Sequence, residues 1–152
     1  MKRYFLAAAA VFCAAGFARA ASVTVTEIKA SGSGGEVTVD SRLSDIRDSI
    51  VRQFRFSNYE FLSRRSSNIT QGATTTWKLA TGDYLDVTLT GDETSKGSRR
   101  YTLTLLVYNR TSQGKRTILN TTVKTQRGQV FLVGLGENAQ LGGTLILAMK
   151  AE

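Results

Sequence analysis

The chain has 152 residues and a formal net charge of +8, and it contains no histidine, no proline and a single cysteine, Cys13. Histidine is the side chain best suited to moving protons near neutral pH, and cysteine supplies thiolate nucleophiles and soft metal ligands. The lack of these residues excludes most familiar catalytic and metal-binding designs. We therefore expect a protein that is not an enzyme, holds no metal and needs no cofactor.

The first twenty residues have the pattern of a secretory signal peptide. Lys2 and Arg3 give a positive start, an apolar stretch covers residues 4–17, and small residues at Ala18 and Ala20 suit a signal peptidase. The apolar stretch is shorter than the roughly 20 residues that cross a bilayer as a helix. We predict cleavage after Ala20, an exported product in the periplasm or at the outer membrane of a bacterium, and no transmembrane helix in the mature chain.

Removal of residues 1–20 leaves 132 residues, which suits a single domain. The signal holds three basic residues and no acidic one, so its loss lowers the net charge from +8 to +5. Because the mature chain has no cysteine, its fold depends on hydrophobic burial rather than on disulfides. We divide it into an N-terminal strand with its linker, residues 21–35, and a β-rich domain, residues 36–152.

The mature chain begins with a predicted strand over residues 21–30, where Val23 and Val25 alternate with threonines. The small residues from Ser31 to Gly35 then interrupt the pattern and are typical of a loop or linker. Two alternatives follow. Either the strand belongs to the domain, or the segment Val23–Ile28 is an arm that adds to the edge of a sheet.

An amphipathic helix is predicted over residues 40–54. Asp40 or Ser41 can cap its first turn, because short polar side chains accept hydrogen bonds from free backbone amides. One face carries an apolar stripe, which suits packing of the helix against a sheet. The stripe consists of Leu43, Ile46, Ile50 and Phe54.

Alternating apolar residues predict strands through the rest of the chain. We expect a polar break at residues 64–67, a hairpin across Gly82 and a long polar loop at residues 91–98. Residues 99–109 form the strongest strand, which we expect to be central or covered by the helix. Seven or eight short strands and one helix predict a mainly β fold of the α+β kind: a single-domain antiparallel β-sandwich or partly closed barrel.

Acidic residues are the only candidates for acid–base chemistry, and they occur as three pairs. A glycoside hydrolase needs two carboxylates held roughly 5–10 Å apart in a cleft. Nothing in the spacing of the pairs implies a cleft or a calcium loop, so we expect solvated surface acids and keep a carboxylate-based hydrolase only as an alternative. The pairs are Asp45 with Asp48, Asp83 with Asp86, and Asp92 with Glu93.

Basic residues cluster at three places near aromatic residues. Such patches attract anions, and the anionic partners of an exported protein are cell-wall polymers, lipid headgroups or acidic glycans rather than nucleic acid. The residues predicted to bind an anionic partner are Arg64, Arg65, Arg99, Arg100, Lys115 and Arg116.

One part of the chain resembles a known family. Residues 120–135 are similar to the motif near the end of the β-domain of secretins, the outer-membrane channels of bacterial secretion and pilus systems. Residues 82–89 and 101–105 are similar to the hairpin that precedes that motif. The chain differs in having one glycine before Leu135, where secretins usually have two, and in being far too short for a secretin channel. The resemblance implies a place in the bacterial envelope, associated with assembly.

We therefore expect a non-catalytic exported envelope protein that acts as a binding or assembly module, associated with a secretion or pilus system. Its partner is expected to be another envelope protein, or a second copy of the chain, that pairs a strand with the edge of a sheet. The alternative is a protein that binds anionic polymers or lipid headgroups through its basic loops. Convergence of the two arginine doublets would favour that alternative.

Overall fold

The structure is a computed structural model that describes residues 19–152. The predicted signal peptide lies outside these residues, except for Arg19 and Ala20. The described residues form a 3-10 helix at Ser41–Leu43, an α-helix, α1, at Arg47–Gln53, and nine strands. The strands are β1 (Ala20–Ser31), β2 (Thr38–Val39), β3 (Asn58–Thr70), β4 (Thr74–Lys78), β5 (Tyr84–Ser95), β6 (Ser98–Thr111), β7 (Gly114–Gln126), β8 (Val130–Asn138) and β9 (Gly143–Ala151).

The strands form two sheets that pack face to face. One sheet has five strands in the order β2-β3-β1-β9-β8, and the other has four in the order β4-β5-β6-β7. The predicted mainly β sandwich is confirmed, with nine strands in the described residues instead of seven or eight. Because the two sheets are separate, the fold is the sandwich and not the partly closed barrel. The chain crosses between the sheets from β3 to β4 and from β7 to β8.

Strand β1 lies at the centre of the five-stranded sheet. It pairs with β3 over its whole length and with β9 from Val23 to Ala30. The side chains of Val23 and Val25 are buried between the two sheets. Both edges of β1 are occupied, so the segment Val23–Ile28 is not an arm that is free to add to another sheet.

The single helix predicted over residues 40–54 is wrong in its extent. A 3-10 turn and three residues of turn precede α1. Leu43 and Ile46 are three residues apart, which matches the three residues per turn of a 3-10 helix. Ile46 and Ile50 have the four-residue spacing that suits an α-helix. These three side chains are buried, and Phe54, the fourth residue of the stripe, is half-buried against the same cluster just after α1. The apolar stripe is therefore confirmed although the helix is divided.

Asp40 caps the first of these turns, as predicted. Its carboxylate accepts a hydrogen bond of 3.0 Å from the backbone N–H of Arg42. The guanidinium of Arg42 donates to the same carboxylate at 3.0 and 2.6 Å. These hydrogen bonds hold the pKa of Asp40 well below its ordinary value.

Two predicted interruptions are wrong. Residues 64–67 lie inside β3, and residues 91–98 are the ends of β5 and β6 around a tight turn at Lys96 and Gly97. The two turn residues have positive φ angles of 50° and 77°, as a two-residue hairpin turn requires. Polar residues do not end either strand, because some, such as Arg64 and Glu93, lie on a face of the sheet that is open to solvent. Others point inward and form ion pairs there, Arg65 with Glu27 and Asp92 with Arg99.

The remaining strand predictions agree with the structure. Strands β4 and β5 form the hairpin across Gly82. The strand predicted over residues 99–109 is central, because β6 lies between β5 and β7. The helix does not cover β6, since α1 packs on the other sheet.

The five-stranded sheet has an apolar core on each face. Its inner face meets the four-stranded sheet, where Leu85 and Leu103 are among the fully buried residues. Its outer face packs through Ile28 and Ile146 against the helical segment, residues 41–53, which contains the 3-10 helix and α1. The outer face of the four-stranded sheet has no such cover among residues 19–152.

Four bulges interrupt the alternation of side chains along the strands. In three of them the extra residue, Leu62 in β3, Thr90 in β5 or Ile118 in β7, has no partner on the neighbouring strand. In the fourth, Leu135 and Gly136 of β8 lie opposite a single residue of β9. Across a bulge, the alternation of faces shifts by one residue. Charged residues beyond a bulge therefore lie on the opposite face from the one that a strict period of two predicts.

Candidate binding surfaces

The two arginine doublets do not form one basic patch. Successive side chains of a strand point to opposite faces, so each doublet is divided by its strand. In β3, Arg64 lies on the outer face of the five-stranded sheet and Arg65 on the inner face. In β6, Arg99 lies on the inner face of the four-stranded sheet, and Arg100 lies on the outer face and is exposed.

Arg64 borders a groove of about 420 Å³ between the helical segment and the outer face of its sheet. Its guanidinium donates to the Thr26 hydroxyl at 2.9 Å and to the Asp45 carboxylate at 3.2 Å. Lys150, on the same groove, forms an ion pair of 3.0 Å with Glu152. Each positive charge of the groove has a carboxylate of its own, so the groove has no excess of positive charge for an anion.

Arg65 forms an ion pair with a buried carboxylate, that of Glu27. Glu27 is only 1% exposed. It also accepts hydrogen bonds from the Ser63 hydroxyl at 2.8 Å and from the backbone N–H of Ala80 at 2.6 Å. Ala80 lies in the turn between β4 and β5, so the four residues connect the two sheets, and we call them the Glu27 cross-link.

The sequence contained a signal for this cross-link that our prediction missed. Glu27 follows Val23 and Val25 at intervals of two, so strand alternation places all three on the buried face. A carboxylate on such a face needs a cationic or hydrogen-bonding partner. The sequence does not identify Arg65 as that partner, because Arg65 faces inward only as a result of the bulge at Leu62.

Arg99 also pairs with a buried carboxylate. Asp92 is 5% exposed and accepts hydrogen bonds of 2.9 and 2.5 Å from the Arg99 guanidinium. This interaction lowers the pKa of Asp92. In the uncleaved chain, Arg99 further donates to the carbonyl of Ala20, and Arg19 donates to the carbonyl of Asp92. The predicted cleavage after Ala20 would remove these two contacts and leave the Asp92–Arg99 pair.

The lowered pKa of Asp92 is the opposite of what a general acid needs, because a general acid must hold its proton near neutral pH. Its predicted companion, Glu93, is exposed. The next two acidic candidates accept hydrogen bonds from the protein. Asp83 accepts one of 2.8 Å from Asn109, and Asp86 accepts one of 2.6 Å from Thr76.

The last pair of acidic candidates is Asp45 and Asp48. Asp45 lines the groove described above, and no second carboxylate of residues 19–152 lines it with Asp45. Asp48 is a solvated surface residue whose side chain is 84% exposed. Asp45 pairs with Arg64. The six candidates thus occupy places in which each is either solvated or bonded to a neighbouring side chain.

The remaining predicted basic residues lie near the start of β7. Lys115 is placed over the ring of Tyr108, with its ammonium 4.2 Å from the ring centre. Arg116 is exposed and lies opposite Asn109. Because they are successive residues of a strand, Lys115 and Arg116 face opposite sides of the sheet.

One side of the sandwich is bordered by β7 and β8, and we call it the open side. Each of these strands pairs with one neighbour only, β7 with β6 and β8 with β9. Within residues 19–152, no side-chain hydrogen bond or ion pair joins β7 to β8 themselves; the Thr125 hydroxyl of β7 donates to the carbonyl of Gln129, in the turn before β8. Half-buried apolar side chains lie along this side at the margin of the main core: Leu119, Val123, Phe131, Val133, Leu135 and Leu141.

The other side of the sandwich, bordered by β3 and β4, is the cross-linked side, because the Glu27 cross-link connects the sheets there. Leu62 and Trp77 are half-buried beside it. The open side also carries Ile118, a residue of the β7 bulge that is 44% exposed. The two sides therefore differ in the connection between the sheets.

Comparison with protein families, with curated proteins and with solved structures gives no match for this chain. None of the helices between residues 19 and 152 is long and apolar enough to cross a membrane.

Proposed function

We propose that this chain is a non-catalytic binding or assembly module that recruits an extended strand of a partner at its open side. The observation that carries the proposal is the row of half-buried apolar side chains between the unpaired edges of β7 and β8. A strand at the edge of a sheet offers backbone N–H and C=O groups to another chain. A partner strand that pairs there would also cover the apolar row.

The chemistry of the open side defines the partner. The added strand would present apolar side chains toward the main core at every second position, because strand side chains alternate between faces. Along β7 the outer face carries Lys115 and Lys124, which have no ion-pair partner among the described residues. Acidic residues at the intervening positions of the partner would complement these lysines.

The proposal includes a place in the bacterial envelope. The signal-like pattern of residues 1–20 supports export, and the resemblance of residues 82–135 to the secretin β-domain supports an association with a secretion or pilus system. In that setting the partner is another envelope protein or a second copy of this chain. A basic protein with a mature charge of +5 attracts acidic partners over long range.

Site-specific photo-crosslinking in intact cells tests strand recruitment. A photoreactive residue is placed at Ile118 on the open side and, as the matched control, at Thr70 at the end of β3 on the cross-linked side. Both positions are exposed in the free chain. We expect a discrete adduct from position 118 and none from position 70, and an adduct of twice the chain mass would identify a second copy as the partner.

A pair of lysine substitutions on one strand then checks that the apolar row is involved. Val123→Lys places a charge on the inner face of β7, whereas Thr122→Lys places the same charge on its outer face. We expect the first to abolish the adduct and the second to keep it, with thermal melts showing that both variants are folded. No adduct from position 118, or an adduct that survives Val123→Lys, contradicts the proposal.

A further inference from the structure

The outer face of the four-stranded sheet carries an excess of positive charge. Alternation along the strands and the bulges place five cations on this face, and two acidic residues, Asp86 and Glu93, lie there with them. None of the five cations forms an ion pair within residues 19–152. They are Lys78, Arg100, Arg110, Lys115 and Lys124.

Two of these cations are held in place by a pair of stacked tyrosines. The rings of Tyr84 and Tyr108 lie 5.6 Å apart at 17°. The guanidinium of Arg110 lies 4.2 Å from the centre of the Tyr84 ring, and the ammonium of Lys115 lies 4.2 Å from the centre of the Tyr108 ring. Contact with the ring faces attracts both cations and fixes where their charges lie.

Arg110 and Lys115 are direct cross-strand partners on β6 and β7. Like charges opposite each other on neighbouring strands destabilise a sheet. The negative charge of Asp86 acts on Arg110 through space, but neither Arg110 nor Lys115 forms an ion pair within residues 19–152. An anion bound at this point would remove the repulsion, so the cost of the pair in the free chain would be recovered on binding.

The bulge at Ile118 extends this cluster into a strip. Lys115 and Lys124 are nine residues apart, so a strict period of two would place them on opposite faces. Because Ile118 has no partner on β6, the alternation shifts and both lysines lie on the outer face. At about 3.4 Å per residue, the two lysines are on the order of 25–30 Å apart, which is much longer than a single phosphate or sulfate group.

The surface between the cations carries a row of hydroxyl groups. One row crosses the sheet as Thr74, Thr88, Thr104 and Thr122, each a register partner of the next. The hydroxyls of the first two lie 2.6 Å apart and those of the last two 3.2 Å apart. Such a row can exchange hydrogen bonds with the hydroxyl groups of a carbohydrate.

We propose that the outer face of the four-stranded sheet binds a linear anionic polysaccharide, whose carboxylate or sulfate groups contact the Arg110–Lys115 pair and Lys124. A membrane surface fits less well, because insertion into a bilayer needs exposed apolar side chains and this face presents threonines and cations. Single-stranded nucleic acid fits less well too, because its bases stack on free aromatic rings and the cations already cover Tyr84 and Tyr108.

Calorimetric titration of the purified mature protein with alginate and dextran sulfate tests this site, with neutral dextran as the uncharged control. The double variant Arg110→Gln/Lys115→Gln removes two charges from the strip. The double variant Arg47→Gln/Arg52→Gln removes two exposed charges from α1, which packs against the five-stranded sheet, and serves as the matched control. We expect the first to weaken binding about tenfold or more and the second to change it about twofold or less.

Several results would overturn the site. They are an absence of binding to both anionic polymers, an equal loss in the two double variants, binding of neutral dextran as tight as that of the charged polymers, and tighter binding to phosphatidylglycerol vesicles or to poly(U). The polymer site is separate from the strand-recruiting side. Val123→Lys, which blocks strand addition, is therefore expected not to weaken polymer binding, and failure of one proposal leaves the other standing.

Discussion

The two sides of the sandwich use their residues differently. On the cross-linked side, Glu27 is buried and joins both sheets through Arg65 and the backbone of Ala80. On the open side, residues such as Val123 and Phe131 are half-buried. The described residues show no side-chain hydrogen bond between β7 and β8 themselves, and the Thr125 hydroxyl of β7 reaches no further than the carbonyl of Gln129 in the turn before β8. The two sides therefore differ in how the sheets are connected: a buried polar cross-link joins them on one side, and half-buried apolar side chains line the other, which is the basis of the proposed strand recruitment.

The largest expected effect comes from breaking the cross-linked side. Glu27→Ala leaves the N–H of Ala80 without its acceptor and Arg65 without its counterion, and it should lower the free energy of unfolding by about 3 kcal/mol. Urea denaturation measures this change. Glu60→Ala is the matched control, because Glu60 is exposed and forms only a 3.8 Å surface pair with Lys29; its cost should be about 0.5 kcal/mol or less.

A second variant refines this test. Glu27→Gln keeps an oxygen that accepts from Ala80 but removes the charge that pairs with Arg65, so its loss of stability should lie between those of the alanine variant and the native chain. If Glu27→Ala costs no more than Glu60→Ala, the buried carboxylate does not fix this side and the comparison of the two sides fails.

Truncation of a large side chain on the open side should lower the free energy of unfolding by less than truncation of a smaller side chain in the buried core. Phe131→Ala removes a half-buried ring and is expected to cost about 1–2 kcal/mol, whereas Leu105→Ala in the fully buried core is expected to cost about 3 kcal/mol. Urea denaturation again gives both values. An equal cost at the two positions would show that the open side is already as well packed as the core, which would weaken the case for strand recruitment.

The smallest effect concerns pH and the second buried pair. The lowered pKa of Asp92 means that its ion pair with Arg99 stabilises the fold above the ordinary value of 3.8. That contribution is lost as the pH falls through the lower pKa of the folded state. The stability difference between the native chain and Asp92→Asn should therefore shrink as urea denaturation is repeated from pH 6 down to pH 2. Asp48→Asn, at an exposed site, should show a difference near zero throughout, and a constant difference for Asp92 would contradict the assignment.

Much of the fold was determined by local sequence patterns. Alternation of Val23 with Val25, and of Leu85 with Val87, marks strands whose burial follows directly from a period of two. Gly82 marks the hairpin because its φ of 88° suits a residue without a side chain. The apolar stripe through Ile46 and Ile50 could also be predicted from local spacing, because helical spacing brings those residues to one face.

The sites depended on features that no local pattern specifies. The bulges at Leu62, Thr90 and Ile118 turn Arg65 and Asp92 inward and bring Lys115 onto the same face as Lys124. A period of two assigns each of these charged residues to the opposite face. The position of a bulge is set by pairing with a neighbouring strand, and the bulge then decides whether a charge meets a buried partner or the solvent. The chain alone therefore determined that there would be strands and cations, and only the assembled sheets decided which cations act together.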